Sequence, residues 1–418
     1  MVLQDCPFLQ NENEGVERMK VLQLCLKPPL PARDGGCIAM NNITQGLLQA
    51  GHKVKVLTIF THKHDLNPEL MPESYVEQTG IEGVFIDTRI NAVDAFSSFM
   101  TSESYNISRF FSTDFDIRLS KLLRKEDFDV IHLESLFMTP YAPTIRRLTE
   151  APIILRSHNL EYVIWEKITA GTKGRLKRMY LNYLTRKLKQ YELSVLNEVS
   201  GIAAISDEDR NRMLALGVKK RIRTIPFGVD LSAYSYTPGE EGELAIFHLG
   251  AMDWGPNLEG ILWFLQSIWP AVHERFPQLK FYLAGRNMSA EIAELNLPNV
   301  IVVGEVSDAV AFMKSKAIMI VPLLSAGGIR VKIIEGLAVG RAVISTSLGA
   351  EGLSCVHGKH IMLADRKEDW IEALDKLLSS ASTRNELAVE GRRHVADYFD
   401  LSAVTNQLVN FYREIRKG

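Results

Sequence analysis

Cysteine is scarce in this sequence: Cys6, Cys25, Cys37 and Cys355 are the 4 present, with no Cys-x-x-Cys pair and no histidine cluster at zinc-finger spacing. A disulfide framework and a structural zinc site are therefore not expected, and a reducing compartment fits. No run of eighteen apolar residues occurs, so no stretch reads as a membrane-spanning helix. The first residues are acidic and lack the apolar core of a signal peptide, so residues 1–18 are expected to be a loose extension of a cytoplasmic protein. Neither sign of charge dominates: 48 basic residues stand against 50 acidic ones, a net charge of −2, which gives the whole chain no affinity for nucleic acid. Neither Gly-x-Gly-x-x-Gly nor a Walker A sequence is present, so nicotinamide-linked oxidoreductases and P-loop NTPases lose their main signals. Asp114-Phe115-Asp116 has the spelling of a metal-binding Asp-x-Asp, but it lies in a helix-like polar stretch. No metal and no cofactor are expected.

What is present is alternation. At 418 residues the chain exceeds what one core usually organises, so two domains are expected. Lys20–Leu26 is a continuous apolar run, as a strand buried on both faces of a parallel sheet requires. A glycine loop follows, then helical spacing over Ile38–Ala50, then a strand at Val54–Phe60, which completes a right-handed βαβ unit. Further strands are expected at 128–134, 152–158, 201–206 and 221–228, with Ser206 as a helix N-cap. A second series reads as strands at 244–250, 279–285, 300–304, 317–323 and 341–346. The division is an extension at 1–18, a Rossmann-like domain at 19–233, a polar flexible linker at 234–243 and a second Rossmann-like domain at 244–400. A helix at 401–418 returns to the first domain. The fold class is α/β, two doubly wound domains facing across a cleft, where strand ends and helix N-termini converge on a ligand.

The stretch 321–350 is the richest in chemistry. A strand ends, Gly327 and Gly328 allow close backbone approach, and a helix starts near Ile329, whose free N–H groups suit a pyrophosphate. Arg330 and Lys332 sit in its first turn, where cations oppose the helix dipole unless an anion faces them. Glu335 is placed to accept the ribose hydroxyls of a nucleotide. The plainer alternative is a simple turn with solvated side chains. His158 at a strand end is either structural or a cleft residue, with Asn159 and Glu161 beside it. Glu161 reads equally as an acceptor-side group or as a surface charge. The basic stretch Lys167–Lys189, with Met179, Tyr180, Leu184 and Leu188 interleaved, either lies on an anionic membrane surface or packs on its own domain.

Together these motifs resemble, over about residues 19–416, the retaining GT-B glycosyltransferases of family 4, also called glycosyltransferase group 1. Glu335 matches the second glutamate of that family's Glu-x7-Glu motif, and Gly327 stands where the first is usual. The chain is thus similar to a subgroup with a Gly-Gly-x-Arg-x-Lys loop. The resemblance implies that Gly35 and Gly36 approach the donor phosphate, that His158 contacts the transferred sugar and that Val303 and Val306 flank the base. It also implies transfer from a UDP-, GDP- or ADP-type sugar to a glycan or lipid-linked hydroxyl, with retention, as in cell-surface polysaccharide synthesis. His158, Arg330 and Lys332 are the catalytic candidates; Gly35, Gly36, Gly327, Gly328, Ile329, Glu335, Val303 and Val306 are the donor-binding ones. A nucleotide-sugar epimerase or hydrolase of the same fold, and a silent nucleotide-sugar-binding protein, remain the alternatives.

Overall fold

A computed structural model of the chain describes residues 17–32, 34–87, 107, 109–325 and 329–417. Most of the expected N-terminal extension, and both Gly327 and Gly328, lie outside the described residues. Two parallel sheets organise the rest. The first holds β1 (Lys20–Cys25), β2 (Lys53–Phe60), β3 (Glu82–Phe85), β4 (Val130–Glu134), β5 (Ile153–Ser157), β6 (Gly201–Ala204) and β7 (Arg221–Thr224), in the order β3-β2-β1-β4-β5-β6-β7. The second holds β8 (Glu243–Leu249), β9 (Phe281–Ala284), β10 (Val300–Gly304), β11 (Lys316–Val321), β12 (Ala342–Ser345) and β13 (Met362–Leu363), in the order β10-β9-β8-β11-β12-β13. Each order reverses once, between β1 and β4 and between β8 and β11. Such switch points are where open α/β sheets bind ligands.

The apolar runs form strands because both faces of each sheet are covered. In β1, Leu22 and Leu24 face one apolar layer with Phe115 and Ile145, whereas Val21 and Cys25 face another with Met40, Leu408 and Phe411. The helix at Gly35–Gln49 begins where the glycine loop ends, earlier than the spacing alone indicates, because Asp34 caps it. β3 and the two-residue β13 were not anticipated; both are short and at sheet edges, where the apolar signal is weakest. The expected strand over 221–228 is paired only to Thr224. Among the described residues, no helix is long and apolar enough to cross a membrane.

The connection at 234–243 is tied down, unlike the flexible linker its composition indicates. Arg341 Nη2 donates to the Glu240 carbonyl at 2.7 Å and Arg384 Nη2 to Glu241 Oε2 at 2.6 Å. The helix Ala381–Phe399 ends on the second domain, and the chain crosses back through bonds from Val229 N–H to the Phe399 carbonyl (2.7 Å) and from Leu401 N–H to the Val229 carbonyl (3.0 Å). Helix Leu401–Arg416 then packs on helix Gly35–Gln49, with Gly46 against Thr405. A β-carbon on Gly46 would overlap Thr405 Oγ1 and stand 3.2 Å from its Cβ. Gly46→Ala is therefore expected to destabilise by roughly 1 kcal/mol, overpacking of about 1–3 kcal/mol being partly offset by helix propensity. Denaturant unfolding checks this, and adding Thr405→Ala should recover most of the loss.

Candidate active site

At the first switch point, the loop after β1 turns into helix Gly35–Gln49. Asp34 Oδ1 accepts from Cys37 N–H at 3.0 Å, and Lys27 Nζ reaches both carboxylate oxygens at 2.7 Å. Burial alone would raise the Asp34 carboxyl; Lys27 outweighs it and holds the group down at about 2. A β-carbon on Gly35 would lie 3.4 Å from Val331 Cγ2, across the cleft. Val331 opens the helix Val331–Ala338. One helix N-terminus from each domain therefore meets the other; Asp34 caps the first at Cys37 N–H, and the remaining N–H groups and positive dipole ends suit an anion lying beside the contact. Gly36 stands on the Lys27 side, its would-be Cβ 3.0 Å from Lys27 Nζ, and so is less directly presented to the second domain than Gly35.

His158 follows the end of β5 and is joined by a residue that sequence reasoning missed. Glu134, fully buried at the end of β4, has Oε2 at 2.9 Å from His158 Nε2. Its Oε1 accepts from Gln23 Nε2 at 2.9 Å and lies 3.1 Å from His132 Nε2. His132 Nδ1 is in turn 2.6 Å from the Tyr412 hydroxyl on the C-terminal helix. Arg156 lies 3.9 Å from Glu134 and donates to the Ile225 and Pro226 carbonyls. Burial pushes the Glu134 carboxyl up, but His132 and His158 together hold it well below the usual range, so it is an anion. Directly after it Ser135 has a φ of 106°, a strained turn that ends the strand at the carboxylate. The available signal was the polar pair His132 and Glu134 inside an otherwise apolar strand.

Asn159 lines the cleft with Leu160, Lys167 and Ser206, opposite Ile329 and Glu351. Glu161 starts the helix Glu161–Gly171 and is half-buried. Burial lifts its carboxyl to about 7, against a hydrogen bond from Asn159. Glu192, from the next helix, fixes this turn by accepting from the Glu161 and Tyr162 N–H groups at 2.9 and 3.0 Å.

At the second switch point, Lys332 and Glu335 come together, and Arg330 does not join them as expected. Arg330 occupies the N-cap rather than the first turn, and its guanidinium is buried in the loop after β12. Nε donates to the Gly349 carbonyl (3.1 Å) and Nη2 to that of Leu348 (2.8 Å), leaving Nη1 as its one buried nitrogen without a partner. The reason is geometric: at the cap its side chain runs along the neighbouring loop, not along the helix axis. Lys332 Nζ donates to Asn257 Oδ1 at 2.8 Å and lies 3.4 Å from His248 Nε2. His248 Nδ1 is 2.9 Å from the Ile320 carbonyl, which assigns the ring proton to Nδ1 and leaves Nε2 as the acceptor. Burial lowers the Lys332 ammonium to about 7, with Glu335 opposing. Glu335 Oε1 accepts from the Tyr234 hydroxyl at 2.9 Å; burial raises this carboxyl, against Tyr234 and Lys332. In the sequence Tyr234 reads only as the first residue of the linker. Val303 is exposed on edge strand β10 and Val306 follows it in the loop, beside the Gly285 N–H to Gly304 carbonyl bond of 2.8 Å. Asp114 and Asp116 lie in the first turn of helix Thr113–Lys125, away from any strand end.

Two facing doubly wound domains, with these groups at their switch points, define a GT-B glycosyltransferase. Residues 35–233 match the family described as Glycosyltransferase Family 4, and residues 243–380 the one described as Glycosyl transferases group 1. The chain is a group 1 glycosyltransferase. It is 21% identical over 403 residues to an uncharacterized 44.6 kDa protein in the cps region of Klebsiella pneumoniae, covering 93% of this chain and 98% of that one. It is 25% identical over 315 residues to the phosphatidyl-myo-inositol mannosyltransferase of Mycolicibacterium smegmatis, covering 71% and 74%. Sucrose-phosphate synthase from Thermosynechococcus elongatus superposes with a TM-score of 0.68 at 15% identity, over 95% of this chain and 99% of that one. Anabaena HepE in complex with UDP superposes with a TM-score of 0.66 at 12% identity, over 95% and 100%.

Proposed function

We propose that the chain transfers a hexose from a nucleoside-diphosphate sugar to a hydroxyl of a glycan or lipid-linked acceptor, with retention of anomeric configuration. The observation that carries this reading is the meeting of two helix N-termini across the cleft, with Lys332 and Glu335 on the second helix. The diphosphate lies beside the point where Gly35 and Val331 meet, its charge met by the two helix N-termini and by Lys332. Glu335 and Tyr234 suit the ribose hydroxyls, and the end of β10, with Val303 and Val306, suits the base. UDP in the HepE complex makes a uridine donor the first to try. The cps-region relative supports a role in surface polysaccharide synthesis, and the mannosyltransferase relatives support a lipid-linked acceptor.

In the reaction, the bond from the anomeric carbon to the diphosphate oxygen breaks and a bond to the acceptor oxygen forms on the same face. The acceptor proton passes to the departing phosphate oxygen. Fixed dipoles and Lys332 lower the barrier because they act most strongly as the leaving group gains charge. His158, held by Glu134, hydrogen-bonds the sugar being transferred. No metal is required, so activity should persist in EDTA.

Calorimetric binding of UDP, GDP, ADP, NAD and their sugar conjugates tests the donor site. Glu335→Ala should weaken the preferred nucleotide by about 1.5–3 kcal/mol, the worth of hydrogen bonds to a charged group. Unchanged binding removes the ribose role. Products from donor alone distinguish transfer from epimerisation or hydrolysis, which need no acceptor.

A further inference from the structure

The helices Glu161–Gly171 and Arg175–Leu196 form a hairpin whose tip has no part in the chemistry above. The second helix is 22 residues long. Its later turns are packed, with Leu184, Leu188, Val195 and Leu196 buried. Its first residues, Arg175–Tyr180, are all exposed, so the helix runs past the edge of its domain. The apolar stripe continues beyond that edge. Leu176, Met179, Tyr180 and Tyr183 follow at i, i+3, i+4 and i+7, on one helix face. Leu176 is 82% exposed, Met179 60% and Tyr180 40%, and Ile168 on the neighbouring helix is 49% exposed. Single exposed apolar residues are ordinary, but a cluster at one tip marks a contact surface.

Charge identifies the contact. From Lys167 to Lys189 the chain has eight basic residues and no acidic one, although its net charge is −2. Among the described ion pairs, Lys173, Arg175 and Lys177 have no acidic partner, while Arg178 turns back to the Thr172 carbonyl at 2.9 Å and closes the tip. Concentrated like charge around exposed apolar side chains destabilises a free surface and matches an anionic bilayer, where long basic chains reach phosphates while apolar neighbours enter the headgroup region. The apolar residues sit on a projecting tip, not in a groove, which favours a fluid lipid surface over a folded partner. Lys167, at the base of the tip, lines the cleft and lies 4.0 Å from Glu351 of the second domain.

We propose that the Lys167–Tyr180 tip docks the enzyme on an anionic membrane, with Leu176 and Met179 entering the headgroup layer and Lys173, Arg175 and Lys177 meeting lipid phosphates. The cleft mouth then faces the bilayer surface. Packing on the domain holds for the later turns of this segment, while its tip projects.

Co-sedimentation of the full chain with vesicles tests this without donor or acceptor, so its outcome is independent of the transferase reading. Vesicles containing about one-third phosphatidylglycerol should bind the protein at low ionic strength, pure phosphatidylcholine should not, and salt should weaken the binding. Replacing Lys173, Arg175 and Lys177 by alanine should lower vesicle affinity about 100-fold. Leu176→Ser with Met179→Ser should lower it about 10-fold. Both variants should keep the wild-type unfolding midpoint and nucleotide binding. Equal binding to neutral vesicles, no binding to anionic ones, or binding that neither variant changes overturns the proposal. Self-association that Leu176→Ser and Met179→Ser abolish, without vesicle binding, also overturns it and assigns the tip to a contact between copies.

Discussion

Glu134→Gln is expected to lower the turnover number by about 100-fold or more, with a smaller effect on the Michaelis constant for the donor. The carboxylate is fully buried and meets His158 through one oxygen and Gln23 and His132 around the other. Glutamine keeps the volume and one acceptor, but it presents an amide where either His158 or Gln23 needs an oxygen. The imidazole then loses the partner that fixes its ring and its tautomer. Glu134→Ala removes the charge opposite Arg156 as well and is expected to cost about 3–5 kcal/mol of stability, the usual result of leaving a buried charge without its partner. The two variants separate the roles. Steady-state kinetics on the glutamine variant, beside its unfolding midpoint, should find a rate loss out of proportion to the stability loss. A rate that falls only as far as the folded fraction falls makes Glu134 a structural residue. A Tyr412→Phe variant extends the test, since Tyr412 reaches Glu134 only through His132.

How much of this was legible in the sequence follows from how local each signal is. The β1 and β11 strands were readable because burial on both faces makes their apolar runs continuous. His158 and Glu335 were readable from their places after a strand and on a helix. Glu134 was not, because its role depends on β4 and β5 lying side by side, a pairing of Glu134 with Arg156 that no local pattern encodes. Tyr234 was missed for a similar reason. Composition marked its segment as a loose linker, while its hydroxyl reaches 101 residues along the chain to Glu335. The position of Arg330 was misjudged because one residue separates a helix cap from a first turn. That step turns the side chain from the cleft to the Leu348 and Gly349 carbonyls. Asn257 and His248, which hold Lys332, come from the β8 end of the second switch point and are likewise visible only once β8 and β11 are neighbours.

Donor binding is expected to weaken by about tenfold per pH unit above neutrality, and to take up close to one proton per donor there. Lys332 is the cause. Its Nζ is enclosed by Asn257 Oδ1 and His248 Nε2, and burial lowers it to about 7 despite Glu335. A diphosphate beside it stabilises the ammonium and raises its pKa. The sign follows directly. Below about 7 the group is charged with and without donor, so affinity is flat and no proton moves. Above 7 it is neutral alone and charged in the complex, so binding must draw a proton from solution and loses affinity as pH rises, until the bound-state pKa is passed. From pH 7 to pH 9 the expected loss is about 100-fold. A nucleotide sugar is the right probe, because its diphosphate has no terminal phosphate ionising near pH 6 as a monoester does. Calorimetry in buffers of different ionisation enthalpy counts the proton. Lys332→Met should remove both the slope and the proton uptake, and should weaken binding at pH 6 by about 10-fold to 100-fold. The nucleoside, which lacks phosphate, should bind without the slope in either protein. A slope that persists in Lys332→Met, or that the nucleoside shares, means that the titrating group is not the one facing the diphosphate.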